Sequence, residues 1–269
     1  MKVKFIIKRY IPELAKNGFD KYEIEVKEGM TVLDVLLYIK ENLDPTLSLR
    51  FSCRMGICGS CGMIINGKPE LACHTQIKKI VENGKIKVEP IPNLTLIRDL
   101  VPDLQSAFIK HKKIKPYLIR KDEKEQENPK REYKQTPSEL LEYLQFSYCI
   151  QCGLCISSCP VSSTDEDFLE PYVLAQAYRY CIDSRDEGFS ERLKIVSKSH
   201  GVLNCHFAGG CSKACPKGVD PALAIQLLKR LILKKTFGLL KDKRGNNIVP
   251  PYPEGPNKDK VPKAPPKSV

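Results

Sequence analysis

Phe51-Ser52-Cys53-Arg54-Met55-Gly56-Ile57-Cys58-Gly59-Ser60-Cys61-Gly62 sets three cysteines among three glycines, and Leu71-Ala72-Cys73 adds a fourth cysteine downstream. Glycines at these positions let a loop fold closely and leave backbone N–H groups free to point at sulfur. Four residues separate the first pair of cysteines, two the next and eleven the last. One tight loop plus a distant fourth thiolate is the ligand pattern of a [2Fe–2S] cluster, which assigns Cys53, Cys58, Cys61 and Cys73 to one centre. Zinc is the alternative, but zinc knuckles pair two short cysteine hairpins, and a glycine-spaced loop of three fits them poorly.

The flanks of this loop predict a small mixed sheet on one helix. Lys2 to Tyr10 alternates as a strand, Asn17-Gly18 offers a turn, and Tyr22 to Val26 alternates again. Thr31 is a candidate N-cap with Asp34 near the helix start; Leu33, Leu36, Leu37 and Ile39 form an apolar face up to Asn42. Met63-Ile64-Ile65 and Leu71-Ala72 flank the turn Asn66-Gly67, and Lys85 to Val88 is a last strand. This order resembles the β-grasp of plant-type ferredoxins and predicts a domain over 1–105. A highly charged connection, 106–135, follows as a solvated linker or surface crossing. Thr136-Pro137-Ser138-Glu139 then forms a capping box, and helical patterns cover Leu140 to Phe146, Pro171 to Ile182, Glu191 to His200 and a long helix opened by Asp220-Pro221. The expected fold class is therefore α+β, an N-terminal β-grasp [2Fe–2S] ferredoxin-like domain followed by an all-α ferredoxin-like domain over 136–240. A basic tail, 241–269, with seven prolines, is expected to be extended or disordered.

Two further cysteine runs lie in the helical part. Cys149, Cys152, Cys155 and Cys159-Pro160 are separated by two, two and three residues, the bacterial ferredoxin run whose fourth cysteine serves the other cluster. Its complement is Cys205, Cys211 and Cys215-Pro216. Crossing the two assigns Cys149, Cys152, Cys155 and Cys215 to a [4Fe–4S] cluster, and Cys159, Cys205 and Cys211 to a second centre. Ferredoxin spacing places a further cysteine at 208, where this chain has Ala208. Three thiolates suit a [3Fe–4S] cluster; a four-iron cluster with His206 or solvent on the fourth iron is the alternative. Cys181, left over in an apolar helix segment, reads as a small buried hydrophobe. His74, beside Cys73, reads as a surface residue.

Twelve cysteines in 269 residues point away from a short secreted disulfide scaffold and toward cluster ligation. The start, Met1 to Lys8, is too charged for a signal peptide, and no apolar run of about 18 residues marks a membrane span. The formal charge of +12 suggests an anionic partner. Eleven thiolates around three oxidised clusters would lower it to about +6, so no nucleic-acid partner is expected. No nucleophile–base pair, nucleotide loop or dinucleotide fingerprint is present in the sequence.

With these motifs in place, the chain resembles the iron–sulfur subunit of the succinate dehydrogenase/fumarate reductase family up to about residue 240. The likeness is carried by Phe51 to Gly62, Leu71 to Cys73, both ferredoxin runs, Asp183-Ser184-Arg185-Asp186 and Cys215 to Pro221. It implies [2Fe–2S], [4Fe–4S] and [3Fe–4S] clusters in a row between the FAD of a flavoprotein subunit and a membrane quinone. It further implies membrane anchor subunits and a place on the cytoplasmic face of the membrane, peripheral through partners. The subunit is not catalytic alone. Pro160, His206, Phe207, Gln226 and Lys229 fall where related enzymes build part of the quinone site. Many succinate dehydrogenases carry Trp where this chain has Thr164, and the local wording resembles the fumarate reductase branch. A relay serving a non-quinone acceptor, of the heterodisulfide or thiol-linked fumarate reductase type, is the second reading. A zinc-dependent structural or nucleic-acid-binding protein is a distant third.

Overall fold

A computed structural model describes residues 1–238 and 249–250, so the expectation of an extended or disordered tail over 241–269 lies almost wholly outside the described residues. The described chain forms two compact units, Met1–Gln105 with Ile150–Ser158, and Ser106–Cys149 with the described residues from Cys159 on.

The first unit is built on β1 (Lys2–Ile11), whose alternation buries Val3, Phe5, Ile7 and Ile11 on one face. It pairs antiparallel with β2 (Lys16–Glu25). The turn between them differs from the expectation at Asn17-Gly18. Both residues lie inside β2, opposite Tyr10 and Arg9, and the reversal occurs at Pro12–Ala15. Pro12 fixes φ and lacks an N–H, so it ends the ladder sooner than Asn-Gly could, and Ala15 takes a left-handed φ of 50°. α1 (Val32–Asn42) starts at a Thr31/Asp34 capping box and buries Val32, Leu33, Val35, Leu36, Leu37 and Ile39.

The sheet continues with β3 (Gly62–Ile65), β4 (Lys68–Leu71) and β5 (Lys85–Glu89), in the order β2-β1-β5-β3-β4. β5 runs parallel to β1, and the other pairings are antiparallel. Asn66 and Gly67, at φ 47° and 76°, make the tight β3–β4 turn the sequence announces. A short hairpin, β6 (Leu96–Arg98) and β7 (Val101–Pro102), follows what the pattern marks as the last strand. Ile150–Ser158 belongs to this unit for a packing reason. Leu154 is fully buried in its core, and Asn93 donates to Ile156 O at 2.9 Å.

The second unit packs α2 (Pro171–Ile182), α3 (Phe189–Val196) and α4 (Pro221–Thr236) around Phe146, Phe168, Tyr178, Leu193, Ile225 and Leu228. Phe146 and Tyr178 meet edge-on at 5.1 Å. Asp220 caps α4 by accepting from Leu223 N–H, with Pro221 in the first turn. Fully buried Arg192 fastens part of the charged stretch over 106–135. Its guanidinium donates to the carbonyls of Ile114, Lys115 and Tyr117 and pairs with buried Asp186, which in turn accepts from Ile119 N–H.

Candidate metal centres

The loop between α1 and β3 brings Cys53, Cys58 and Cys61 round to Cys73. The start of α1 anchors the Cys73 limb: Val32 N–H donates to Thr75 O at 3.0 Å and Leu33 N–H to Ala72 O at 3.1 Å. These donors have no partner within their own helix, so the limb satisfies them. Ala72 N–H closes the other side on Cys61 O at 3.0 Å.

Backbone amides then converge on the sulfurs. Met55, Ile57 and Cys58 N–H point at Cys53 Sγ at 3.3–3.4 Å, and Gly56 N–H reaches Cys73 Sγ at 3.2 Å. Cys53 N–H faces Cys58 Sγ, and Cys73 N–H faces Cys61 Sγ, each at 3.5 Å. Burial works against ionisation of Cys58, yet hydrogen bonds from Ser60 and Cys53 draw its thiol down to about 6. Burial pushes Cys61 up to about 12, and the nearby Cys73 and Cys58 add to this. Four thiols in mutual electrostatic reach, ringed by amides, fit a [2Fe–2S] cluster: each sulfur has donors for the charge that iron ligation leaves on it.

Gly59 fixes how tightly this loop sits. Its φ is +74°, and a Cβ there would stand 2.6 Å from Cys152 Cβ and 2.9 Å from Cys152 Cα. Conformation and space both require glycine.

In the second unit, Cys159, Cys205 and Cys211 come together. Burial pushes Cys211 up to about 12, and the charges of Cys159 and Cys205 act on it in the same direction. Phe207 N–H points at Cys205 Sγ at 3.4 Å. Three soft donors with an amide on one sulfur fit a three-thiolate cluster. Ala208 is exposed, between Phe207 at φ 57° and Gly209 at φ 71°. Burial raises Cys215, while amides of Lys217, Val219 and Gly218 oppose the shift by hydrogen bonding to its sulfur. Cys149 and Cys215 lie in the second unit, and Cys152 and Cys155 in the first. The assignment of these four to one cluster rests on the spacing of the two runs. Cys181 is fully buried in α2, and His74 is exposed.

The five quinone-site candidates are not alike. Pro160, His206 and Phe207 are exposed. Gln226 keeps a buried Nε2 without a hydrogen-bond partner among the described residues. Lys229 donates to Cys205 O at 3.0 Å, so its ammonium holds the cysteine limb. Sequence reasoning missed Asp165 and His200, which meet beside that limb from positions 35 apart; no short motif signals such a pair.

Residues 4–109 match the model of a 2Fe-2S iron-sulfur cluster binding domain, and residues 145–219 that of a 4Fe-4S dicluster domain. The fumarate reductase iron-sulfur subunit of Mycobacterium tuberculosis is 49% identical over 224 residues, covering 83% of this chain and 90% of that one. The subunit of the same name from Haemophilus influenzae is 42% identical over 226 residues, covering 81% and 88%. Among solved structures, a chain of the Mycobacterium smegmatis Sdh1 complex superposes with a TM-score of 0.78 at 24% identity, over 88% of this chain and 97% of that one.

Proposed function

Because the chain belongs to the family of iron–sulfur subunits of fumarate reductase and succinate dehydrogenase, we propose that it relays single electrons between the FAD of a flavoprotein subunit and a membrane quinone. Cys53, Cys58, Cys61 and Cys73 hold the [2Fe–2S] cluster; Cys149, Cys152, Cys155 and Cys215 hold the [4Fe–4S] cluster; Cys159, Cys205 and Cys211 hold the [3Fe–4S] cluster. Such clusters supply one-electron carriers between partners that each handle two electrons.

The chain's own residues hold and shield these centres. The observation that carries the reading is the ring of amides on the sulfurs of Cys53, Cys58, Cys61 and Cys73. Donors fixed before electron arrival need little rearrangement when charge changes. Buried Cys61 and Cys73 keep water from one side of the cage, while exposed Met55 and Ile57 leave an apolar rim for the flavoprotein. Near Cys205, exposed Leu203 and Phe207 supply the corresponding apolar surface for an anchor subunit and quinone. No helix among the described residues is long and apolar enough to cross a membrane. We place the chain on the cytoplasmic face, held there by its partners.

The cluster-loaded chain alone should give no turnover with succinate and a dye. Adding the flavoprotein should restore dye reduction, and adding the anchor as well should restore quinone reduction. Turnover by the isolated chain, or quinone reduction that proceeds without it, would contradict the proposal.

A further inference from the structure

The segment after Cys159-Pro160 and the turn before Cys205 share one carboxylate. Asp165 accepts from His200 Nδ1 at 2.9 and 3.0 Å, from Asn204 Nδ2 at 2.6 Å and from Asp167 N–H at 3.0 Å. Its own N–H closes back on Val161 O at 2.9 Å, and Leu169 N–H donates to His200 O at 2.9 Å. Asn204 directly precedes Cys205, and Val161 stands two residues after Cys159. A hydrogen-bonded histidine–aspartate pair outside the cysteine cage thus clamps two of its limbs.

We propose that His200 and Asp165 form a proton-linked clamp that sets the reduction potential of the cluster held by Cys159, Cys205 and Cys211, so that an electron arriving there brings a proton to His200. The inference rests on the reading of those three cysteines as a cluster site. A carboxylate cannot donate, so Asp165 keeps the hydrogen on Nδ1, and the exchangeable site is Nε2. One electron from the donor side of the relay adds one negative charge to the site. One proton from solvent binds Nε2 of neutral His200, and both leave together when the electron passes on.

His200 is half-exposed, so solvent can supply that proton. The hydrogen bond to Asp165 raises its pKa above the ordinary histidine value; slight burial opposes this, and the charges of Asp165 and Asp167 reinforce it. The imidazole therefore keeps its proton to a higher pH than a free histidine, and through Asp165 and Asn204, the residue before Cys205, a change of its charge is felt as potential.

The test is a potentiometric titration of the three-iron signal in the full-length, cluster-loaded chain, followed by low-temperature EPR between about pH 6 and pH 9. The midpoint potential should fall with rising pH across the His200 titration, by up to one proton per electron. His200→Gln, which keeps a neutral donor, should remove this dependence and hold the potential near its high-pH value. Asp165→Asn leaves Asn204 an acceptor and should move the pH window lower. A present signal with a pH-independent potential, or the same dependence in both variants, overturns the clamp. Absence of the signal in the wild-type chain would instead overturn the cluster assignment beneath it.

Discussion

Arg9 is the buried cation of the first unit, set in a row of β1 that is otherwise apolar. Its guanidinium reaches Asp99 at 3.0 Å, Asp20 at 2.9 Å, Thr46 at 2.8 Å, and Asp44, tying β1 to the segment that leads into the cysteine loop. Asp99 also accepts from Tyr10 and Ser48 N–H. Arg9→Met would leave the fully buried Asp99 without its cation, and urea unfolding should show a loss of about 3–5 kcal/mol. Asp44 carries the pH dependence. Burial pushes its pKa up, but hydrogen bonds from Thr46, Tyr22 and Arg9 outweigh this and hold it well below the ordinary carboxylate range. A carboxylate depressed on folding adds stability above its unfolded value of ~4, and that stability is lost as pH falls through the folded value. The stability gap between wild type and Asp44→Asn should therefore be full at neutral pH and shrink on acidification below ~4; a gap that stays constant to low pH would refute this assignment. We propose that Ala208, standing where ferredoxin spacing would place a cysteine, keeps the second-unit cluster at three irons. Ala208→Cys should supply a fourth thiolate, replace the three-iron EPR signal with that of a four-iron cluster and lower the potential.

At the scale of elements, two glycines with similar φ separate the needs of a turn from those of a site. Gly67, at φ +76°, has open space where a Cβ would go, whereas Gly59 meets Cys152. Gly67→Ala should cost only backbone strain, about 1–2 kcal/mol, and leave cluster content unchanged. Gly59→Ala should reduce iron and sulfide content as well, because loop or neighbouring segment must move. The cysteine loop, α1 with its capping box, and the Pro171–Ile182 helix could be read from the sequence, since spacing, caps and periodicity are local signals. The β1–β2 turn was not, because Asn17-Gly18 is a strong local signal overruled by Pro12 and the long register of the ladder. Nor was the attachment of 106–135, which depends on Arg192 reaching carbonyls more than seventy positions away. The clamp between Asp165 and His200 is hidden for the same reason. Contacts made by tertiary folding leave no periodic trace.

For the whole molecule, we propose that one chain carries three clusters in two folded units and serves as a conductor between partners that do the chemistry. The amide-ringed cage in the first unit and the three-cysteine cage in the second are what the structure contributes to it. The most direct measurement is low-temperature EPR of the anaerobically prepared, cluster-loaded chain, poised stepwise from oxidised to reduced. A three-iron signal should be present when oxidised and vanish on one-electron reduction. Signals of the reduced [2Fe–2S] and [4Fe–4S] clusters should then appear on further reduction. A chain that shows no paramagnetic signal at any potential, as a zinc protein would, contradicts the account.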